Sequence, residues 1–469
     1  MPIETPHPLY TQNVTRWKRC RDAYEGEDAV KDAGTEYLPK IDPSQTGTEY
    51  EAYKTRALYY EAVGRTVDGF VGAISRKPHV VELPDAMNVI VKDATLDGTQ
   101  LDDLIKKLAS EVLVVGRCGL LVDYSDDNAR AYLSYYPAES IISWGADSIV
   151  IMETVYEPDG KDTFKQETIK QIRQLHVVDG KYTVTLWREK YEVSIGGSWA
   201  VVSETVPSRR GMSIPSIPWF WLTANGQSEK IEKPTLLGLV NVSFSHYRSS
   251  ADLEHGRHFT ALPTLYITGV SGDEPIRVGA GAVIQLSDPS AKVGYAEFSG
   301  QGLQSLETAL ESKQQQMATL GAAVWGAKKG VEAAETARMR VAGENSLLMS
   351  IVGAIESGLQ DALALAAEWM GVSGEIVLKI NRDFIDQKID AQTLVGMVQA
   401  YQAGAMSLDA FLYCLQQSEM LPPETEIDDE VAKLTATAAS KAAASAKVAL
   451  QISKNAPPVA AQHPGGDDK

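Results

Sequence analysis

Between Pro234 and Met370 the chain runs through a long helix rich in serine, arginine and histidine, a short block of strands and a second helix. A small glycine and lysine loop and a third, very long helix follow. That order constrains the fold more than any other feature. Long helices that are polar on most sides lack the wide apolar stripe needed to close a monomeric core, and instead bridge parts or pack among copies of themselves. The order therefore predicts a ring subunit that lines a channel.

The helix boundaries rest on local chemistry. Pro234 suits a first helical turn, where a missing N–H costs nothing, and no further proline occurs until Pro263, so a helix of about 28 residues would span roughly 40 Å. Leu236, Leu237, Val240, Phe244 and Tyr247 give its first half an apolar face, whereas Ser249 to His258 offers only a thin seam. Short strands separated by Gly, Asp and Pro clusters are predicted at Leu265–Ile267, Val283–Leu286 and Val293–Phe298. Helicity resumes with Leu306, Leu310, Lys313, Met317, Leu320 and Val324, a four-and-three spacing broken only by Lys313. The loop Trp325 to Gly330 interrupts it. From Val331 the pattern continues through Leu348, Val352, Ile355, Leu359, Ala362, Ala366 and Trp369, with Gly343, Gly353 and Gly358 predicting a kink.

In the N-terminal half, Tyr53, Ala57, Tyr60, Gly64, Val67, Val71 and Ile74 fall on one helical face, and the helix is expected to stop near Arg76-Lys77-Pro78. Leu101 to Val115 reads as another helix. Strands are expected at Gly119–Tyr124, Ala131–Tyr136, Ile149–Tyr156, Thr168–Val178, Tyr182–Glu189 and Trp199–Val206. Because strands cluster instead of alternating with helices, the class is α+β. Beyond the long helix, Glu375–Ile380 reads as a strand, Asp390 caps a helix to Tyr401 that Gly404 ends, and Ser407 starts another that Pro422-Pro423 closes. The alanine-rich stretch Asp428–Lys454 is helical by propensity, and Pro457–Lys469 is expected to be disordered.

With 469 residues and 44% apolar content, the chain can build two to four structural units. No run reaches about eighteen continuous apolar residues, and Met1-Pro-Ile-Glu-Thr-Pro lacks the regions of a signal peptide, so no membrane is expected and the protein should be used inside a cell. Cys20, Cys118 and Cys414 are widely spaced without a CxxC pair, which points to buried reduced thiols. A net charge of −18 argues against a conventional DNA binder. It suits a wall that DNA must slide past, since like charge raises the free energy of close approach within about 8 to 10 Å.

Enzyme signatures are lacking. The chain has no GxxxxGK[ST], GxSxG or HExxH, and Gly279-Ala-Gly281-Ala lacks the third glycine of a dinucleotide loop. Asp102-Asp103 and Asp428-Asp429 sit where helix capping and solubility explain them. His246 is too far along its helix from His255 and His258, and those two have no third ligand at an obvious spacing, so no metal, cofactor or catalytic residue is assigned.

Five segments together resemble the portal proteins of tailed bacteriophages: Gly116-Arg-Cys-Gly-Leu-Leu-Val-Asp123, His246-Tyr-Arg-Ser-Ser-Ala-Asp-Leu-Glu-His255, Leu262-Pro-Thr-Leu-Tyr-Ile-Thr-Gly269, Glu297-Phe-Ser-Gly300 and Glu335-Thr-Ala-Arg-Met-Arg340. The resemblance runs from about Tyr37 to Pro423. It implies a ring, typically of twelve subunits, at one capsid vertex of the virion, assembled in the host bacterial cytoplasm. Terminase drives DNA in through such a ring, and the DNA later leaves through it into the tail. The implied partners are further copies of the chain, double-stranded DNA passing non-specifically through the lumen, the terminase large subunit, a head-tail adaptor, and the major capsid protein with its scaffold.

By chain order the resemblance implies an N-terminal wing over 1–233, a first stem helix over 234–262, a clip over 263–300, which is short for the family, and a second stem helix over 301–325. A tunnel loop over 326–334, a long wing helix with the C-terminal wing over 335–407, a helical crown over 408–456 and a disordered tail over 457–469 complete the chain. Trp325, Lys328 and Lys329 become candidates for the DNA channel, although a lysine pair in a glycine-bounded loop is commonly just solvated. His246, Arg248, Asp252, His255, Arg257 and Lys313 become candidate lumen or stem residues, and Arg338 and Arg340 face the lumen or pair with Glu335 or Glu344. A different connector or tail component without a packaging role is the alternative, and it should lack a strand block between two stem-like helices.

Overall fold

The computed structural model describes residues 2–159, 162–192, 196–260, 264–268, 290, 292–296, 301–321, 334–384, 391–418, 420–422 and 425–454. The class is α+β, and the chain divides into two units, Met1–Phe384 and Ile385–Lys469.

The first unit opens with α1 (Pro8–Glu25) and α2 (Glu27–Asp32), then α3 (Gly47–Arg56) and α4 (Ala62–Ile74). The single helix expected through Tyr53 and Ile74 is two helices. Ala57 turns extended at ψ 138°, and the Tyr59 hydroxyl donates to the Ala23 carbonyl (3.1 Å), which anchors the break against α1. A full capping box of Thr46 and Glu49 starts α3. Next come β1 (Val80–Glu82), α5 (Asn88–Lys92) and α6 (Leu101–Val115), the last with the bounds expected, stopped by Gly116 in the left-handed conformation at φ 89°.

Six strands follow: β2 (Arg117–Ser125), β3 (Arg130–Pro137), β4 (Ile141–Gly145), β5 (Ser148–Asp159), β6 (Asp162–Val178) and β7 (Lys181–Glu192). Then come β8 (Gly196–Thr205), β9 (Ser208–Arg209), β10 (Met212–Ser213) and β11 (Trp219–Thr223). Strands β4 to β8 form an antiparallel meander in sequence order, while β11, β2 and β3 make a three-stranded antiparallel sheet. Both α6 and α9 (Ala334–Met370) pack on that smaller sheet and on each other, which is where the core lies.

The expected seam of α9 is buried at every position, Leu348, Val352, Ile355, Leu359, Ala362, Ala366 and Trp369. The segment Asn345–Met370 is long and apolar enough to cross a membrane, which continuous apolar runs alone did not flag. Its apolar residues are instead covered by β2, β3, β11 and α6, and Glu356 accepts from the Ile380 N–H (2.8 Å) beside β14 (Val377–Lys379), which pairs with β1. The helix is unbroken through its glycines. Gly358 serves packing: a Cβ there would lie 2.2 Å from Leu222 Cδ2 on β11.

Two cations, the half-buried Arg21 and the buried Arg117, join distant segments, and neither stands out in the sequence. Arg21 on α1 binds Glu111 (2.6 and 2.9 Å) and Glu139 (3.0 Å). Burial opposes its charge, but the hydrogen bonds it donates to these carboxylates outweigh that and hold the guanidinium protonated. Arg117, inside the Gly116–Asp123 segment, lies 3.9 Å from the Trp221 ring centroid and 4.6 Å from that of Trp144, and donates to the Glu229 carbonyl. Burial pulls its pKa down to about 10.

Helix α7 (Leu237–Thr260), β12 (Thr264–Thr268), β13 (Lys292–Ala296) and α8 (Gln301–Leu320) complete the first unit. The expected strand Val283–Leu286 lies outside the described residues. The second unit holds α10 (Ala391–Gln402), α11 (Leu408–Gln417) and α12 (Ile427–Lys454), with Ser407 capping α11 by accepting from the Ala410 N–H. The proposed cap Asp390 and the tail after Lys454 lie outside the described residues.

Packing density yields a direct check. A Cβ at Gly119 would sit 1.9 Å from the Trp219 ring, whereas one at Gly72 on α4 meets nothing. Gly119→Ala should lower the unfolding free energy by about 2 kcal/mol and Gly72→Ala should leave it equal or slightly higher, measured by urea denaturation.

Candidate functional site

The polar half of α7 is held by partners within its own chain. Down its length α8 meets it antiparallel: Gly256 lies against Leu303, Arg257 pairs with Glu307 (2.7 Å), Lys313 reaches Ser249, Gln314 meets His246, and Ser243 meets Met317. Beyond the far end of this pair, β12 and β13 pair antiparallel. At the near end Gly321 sits so close to Thr66 and Leu239 that a Cβ would lie 2.6 Å from the Thr66 hydroxyl oxygen. The expected seam of α8 holds at Leu310 and Met317, but Leu320 is exposed. The helix ends there, so Gly321 takes the inward position in its place.

Lys313, which breaks the apolar seam, is the cross-link. Its ammonium donates to the Ser245 carbonyl (3.0 Å) and the Ser249 hydroxyl (2.5 Å), satisfying donors that burial would otherwise penalise. Burial and the nearby Arg248 lower its pKa. His246 is 5% exposed, with one ring nitrogen 3.3 Å from the Gln314 amide and the Tyr60 ring 5.6 Å away. Burial, then the Lys313 charge, depress its pKa.

The side of α7 away from α8 packs on α1, α3 and α4. Phe244 contacts Tyr37 and Tyr59, and Asp252 accepts from the Tyr53 hydroxyl (2.7 Å). His255 lies edge-on to Tyr53 and 3.5 Å from an Arg56 nitrogen. A cavity of about 390 Å³ opens there, lined among others by Arg56, His255, His258, Ile41 and Phe259.

The structure thus gathers Asp252 and His255 with α3, and His246 and Lys313 with α8, while Arg257 bridges Glu254 and Glu307 and Arg248 is exposed. Of the two expectations for a helix this polar, bridging parts or packing among copies, the chain shows the first: hydroxyls, an imidazole and an ammonium complement α7 between α8 and the N-terminal helices. Trp325, Lys328 and Lys329 lie outside the described residues, as do the side chains of Arg338 and Arg340. Among the described residues no cluster of three His, Cys, Asp or Glu could hold a metal.

Residues 235–370 match a family described as a domain of unknown function, DUF4055. That span runs from the turn before α7 to the end of α9, and is less than a third of the chain. A comparison with curated proteins finds no match. Among solved structures, the virion of a native gene transfer agent particle is similar at 13% identity over 85% of this chain and 99% of that one, with a TM-score of 0.41. The neck of a native gene transfer agent particle computed with C12 symmetry is similar at 12% identity over 83% and 98%, also at 0.41. An HK97-family phage portal protein from Corynebacterium diphtheriae is similar at 14% identity over 72% and 95%, with a TM-score of 0.31. At TM-scores below 0.5 these likenesses carry no argument by themselves.

The depressed pKa of His246 makes a pH prediction. Folding favours the neutral imidazole, so its contribution is present above the ordinary value of 6.5 and is lost as pH falls below it. The drop in melting temperature between pH 7 and pH 5 should be smaller in His246→Gln than in the natural chain, measured by circular dichroism.

Proposed function

We propose that this chain is a portal-type subunit of a tailed phage, forming a closed ring through which DNA is packaged and released. The observation that carries this reading is the antiparallel α7–α8 pair with the β12–β13 pair beyond its far end, followed by α9 returning into the core. A strand pair between two stem-like helices is what separates this reading from a connector or tail component without a packaging role, and it favours the portal. The resemblance of the Gly116–Asp123, His246–His255 and Glu335–Arg340 segments to portal proteins supports it from the sequence side.

In this reading α7 and α8 are the stem, β12–β13 belongs to a clip that meets terminase and later the head-tail adaptor, and residues 326–334 are the tunnel loop. The parts before Pro234 and just after Met370 form the wing, and the helices from Leu408 a crown facing the capsid interior. The work of such a subunit is geometric. A net charge of −18 discourages DNA from sticking to the wall while leaving it free to slide. Twelve copies, capsid protein and scaffold at one vertex complete the assembly.

The purified chain should form closed rings with a central hole in negative-stain images; monomers or dimers at every salt concentration would contradict the reading. Deleting Lys328–Gly330 should leave those rings intact and impair DNA packaging or retention, scored by packaged DNA per particle. Unchanged packaging would remove the tunnel-loop role.

A further inference from the structure

We infer that residues 380–384, the last stretch of the first unit, form a proton-sensitive strap, latched by the His79 ring and loosened when that ring takes up a proton. The device is independent of the ring reading.

The strap leaves β14 and closes over the end of α4. Ile380 and Phe384 are buried at its two ends. Between them, the Asn381 side-chain amide donates to the Ala73 and Ile74 carbonyls in the last turn of α4 (3.2 Å each). Asp383 folds back on this cap: its N–H donates to the Asn381 side-chain oxygen (3.0 Å), and its carboxylate is held by Arg76 (2.8 Å) and Lys77 (2.5 Å). Arg382 and the Ile380 N–H both reach Glu356 on α9 (2.8 Å each). From here the chain passes into the second unit at Ile385.

One contact in this set uses an imidazole, the side chain whose ordinary pKa lies between pH 5 and 8. The main-chain N–H of Asn381 donates to His79 Nδ1 (3.2 Å). A backbone N–H can only donate, so the bond itself requires Nδ1 to be the unprotonated nitrogen of a neutral ring. A proton on Nδ1 turns the acceptor into a donor, sets N–H against N–H and removes the latch. The surroundings favour the neutral ring. Burial is the main influence and pulls the His79 pKa below 6.5; Asp102 on α6 opposes it and Lys106 on α6 adds to it. The other charged groups on the neighbouring elements are Glu82 on β1, Lys379 on β14, and Arg382 and Asp383 in the strap, the last two already engaged by Glu356, Arg76 and Lys77. Because closure favours the uncharged form, the latch is at full strength above pH 6.5 and weakens as pH falls below it. Each residue released from the strap adds up to about 3.3 Å of reach to the chain entering the second unit.

Hydrogen–deuterium exchange of the full chain, read by mass spectrometry and corrected for the intrinsic pH dependence of exchange, tests the strap. In the natural chain the protection of peptide 379–384 should fall about fivefold or more between pH 7 and pH 5, while peptide 101–115 in α6 keeps its own. His79→Asn puts an amide oxygen in the place of Nδ1 and does not titrate, so its strap should be equally protected at both pH values. His79→Ala, which offers no acceptor, should be loosened at both. The strap is overturned by unchanged protection in the natural chain, by a fall shared with α6, or by an equal fall in a folded His79→Asn chain. The comparison of the two peptides within the natural chain decides the matter even where a variant does not fold.

Discussion

A helix as polar as α7 stays in a folded chain only if most of the hydroxyls, imidazoles and ammonium groups taken from water find partners, because an unsatisfied buried group costs about 1–3 kcal/mol. The α7–α8 pairing meets that condition with few apolar side chains, leaving His246 Nδ1 and the Tyr247 hydroxyl buried without a partner among the described residues. Lys313 caps a carbonyl and a hydroxyl, His246 meets an amide, and Asp252 meets a tyrosine hydroxyl. On its other side α7 packs on α1, α3 and α4, and its Phe244 and Tyr247 meet Tyr37 and Tyr59 from the segments that join those helices. The side of α8 turned away from α7 keeps Gln304, Thr308, Glu311 and Gln315 exposed.

The apolar work is done elsewhere. Helix α9 and helix α6 close the core on the sheet β11–β2–β3, with Trp369 donating to the Ser208 carbonyl and Gly358 letting the helix approach Leu222. This division of labour places a rigid core behind the polar pair. A ring subunit needs that arrangement, because its lumen-facing parts must not be the parts that hold the fold together.

Much of this was legible in the residues. The bounds of α6, the strands β2, β3 and β5 to β8, the Ser407 cap and the α9 seam follow from periodicity and capping chemistry, which act locally, whereas the short β4 went unread. What was not legible depends on long-range partners. The break at Ala57 is set by Tyr59 reaching Ala23, the Arg21 network joins residues 90 and 118 positions apart, and α1 itself, with its mixed polar faces, gave no clear period. The polarity of α7 was legible, but the residues that complement it, Lys313, Gln314 and Tyr53, lie far away in sequence. The contact between Arg56 and His255 escaped notice because it joins two helices nearly two hundred positions apart.

The most direct measurement is a rotationally averaged cryo-electron microscopy reconstruction of the assembled protein. The account predicts a closed ring in which the α7–α8 pair stands around the axis, with the β12–β13 pair at one end of the channel. A reconstruction that places this pair on the outer rim, away from the axis, would contradict it.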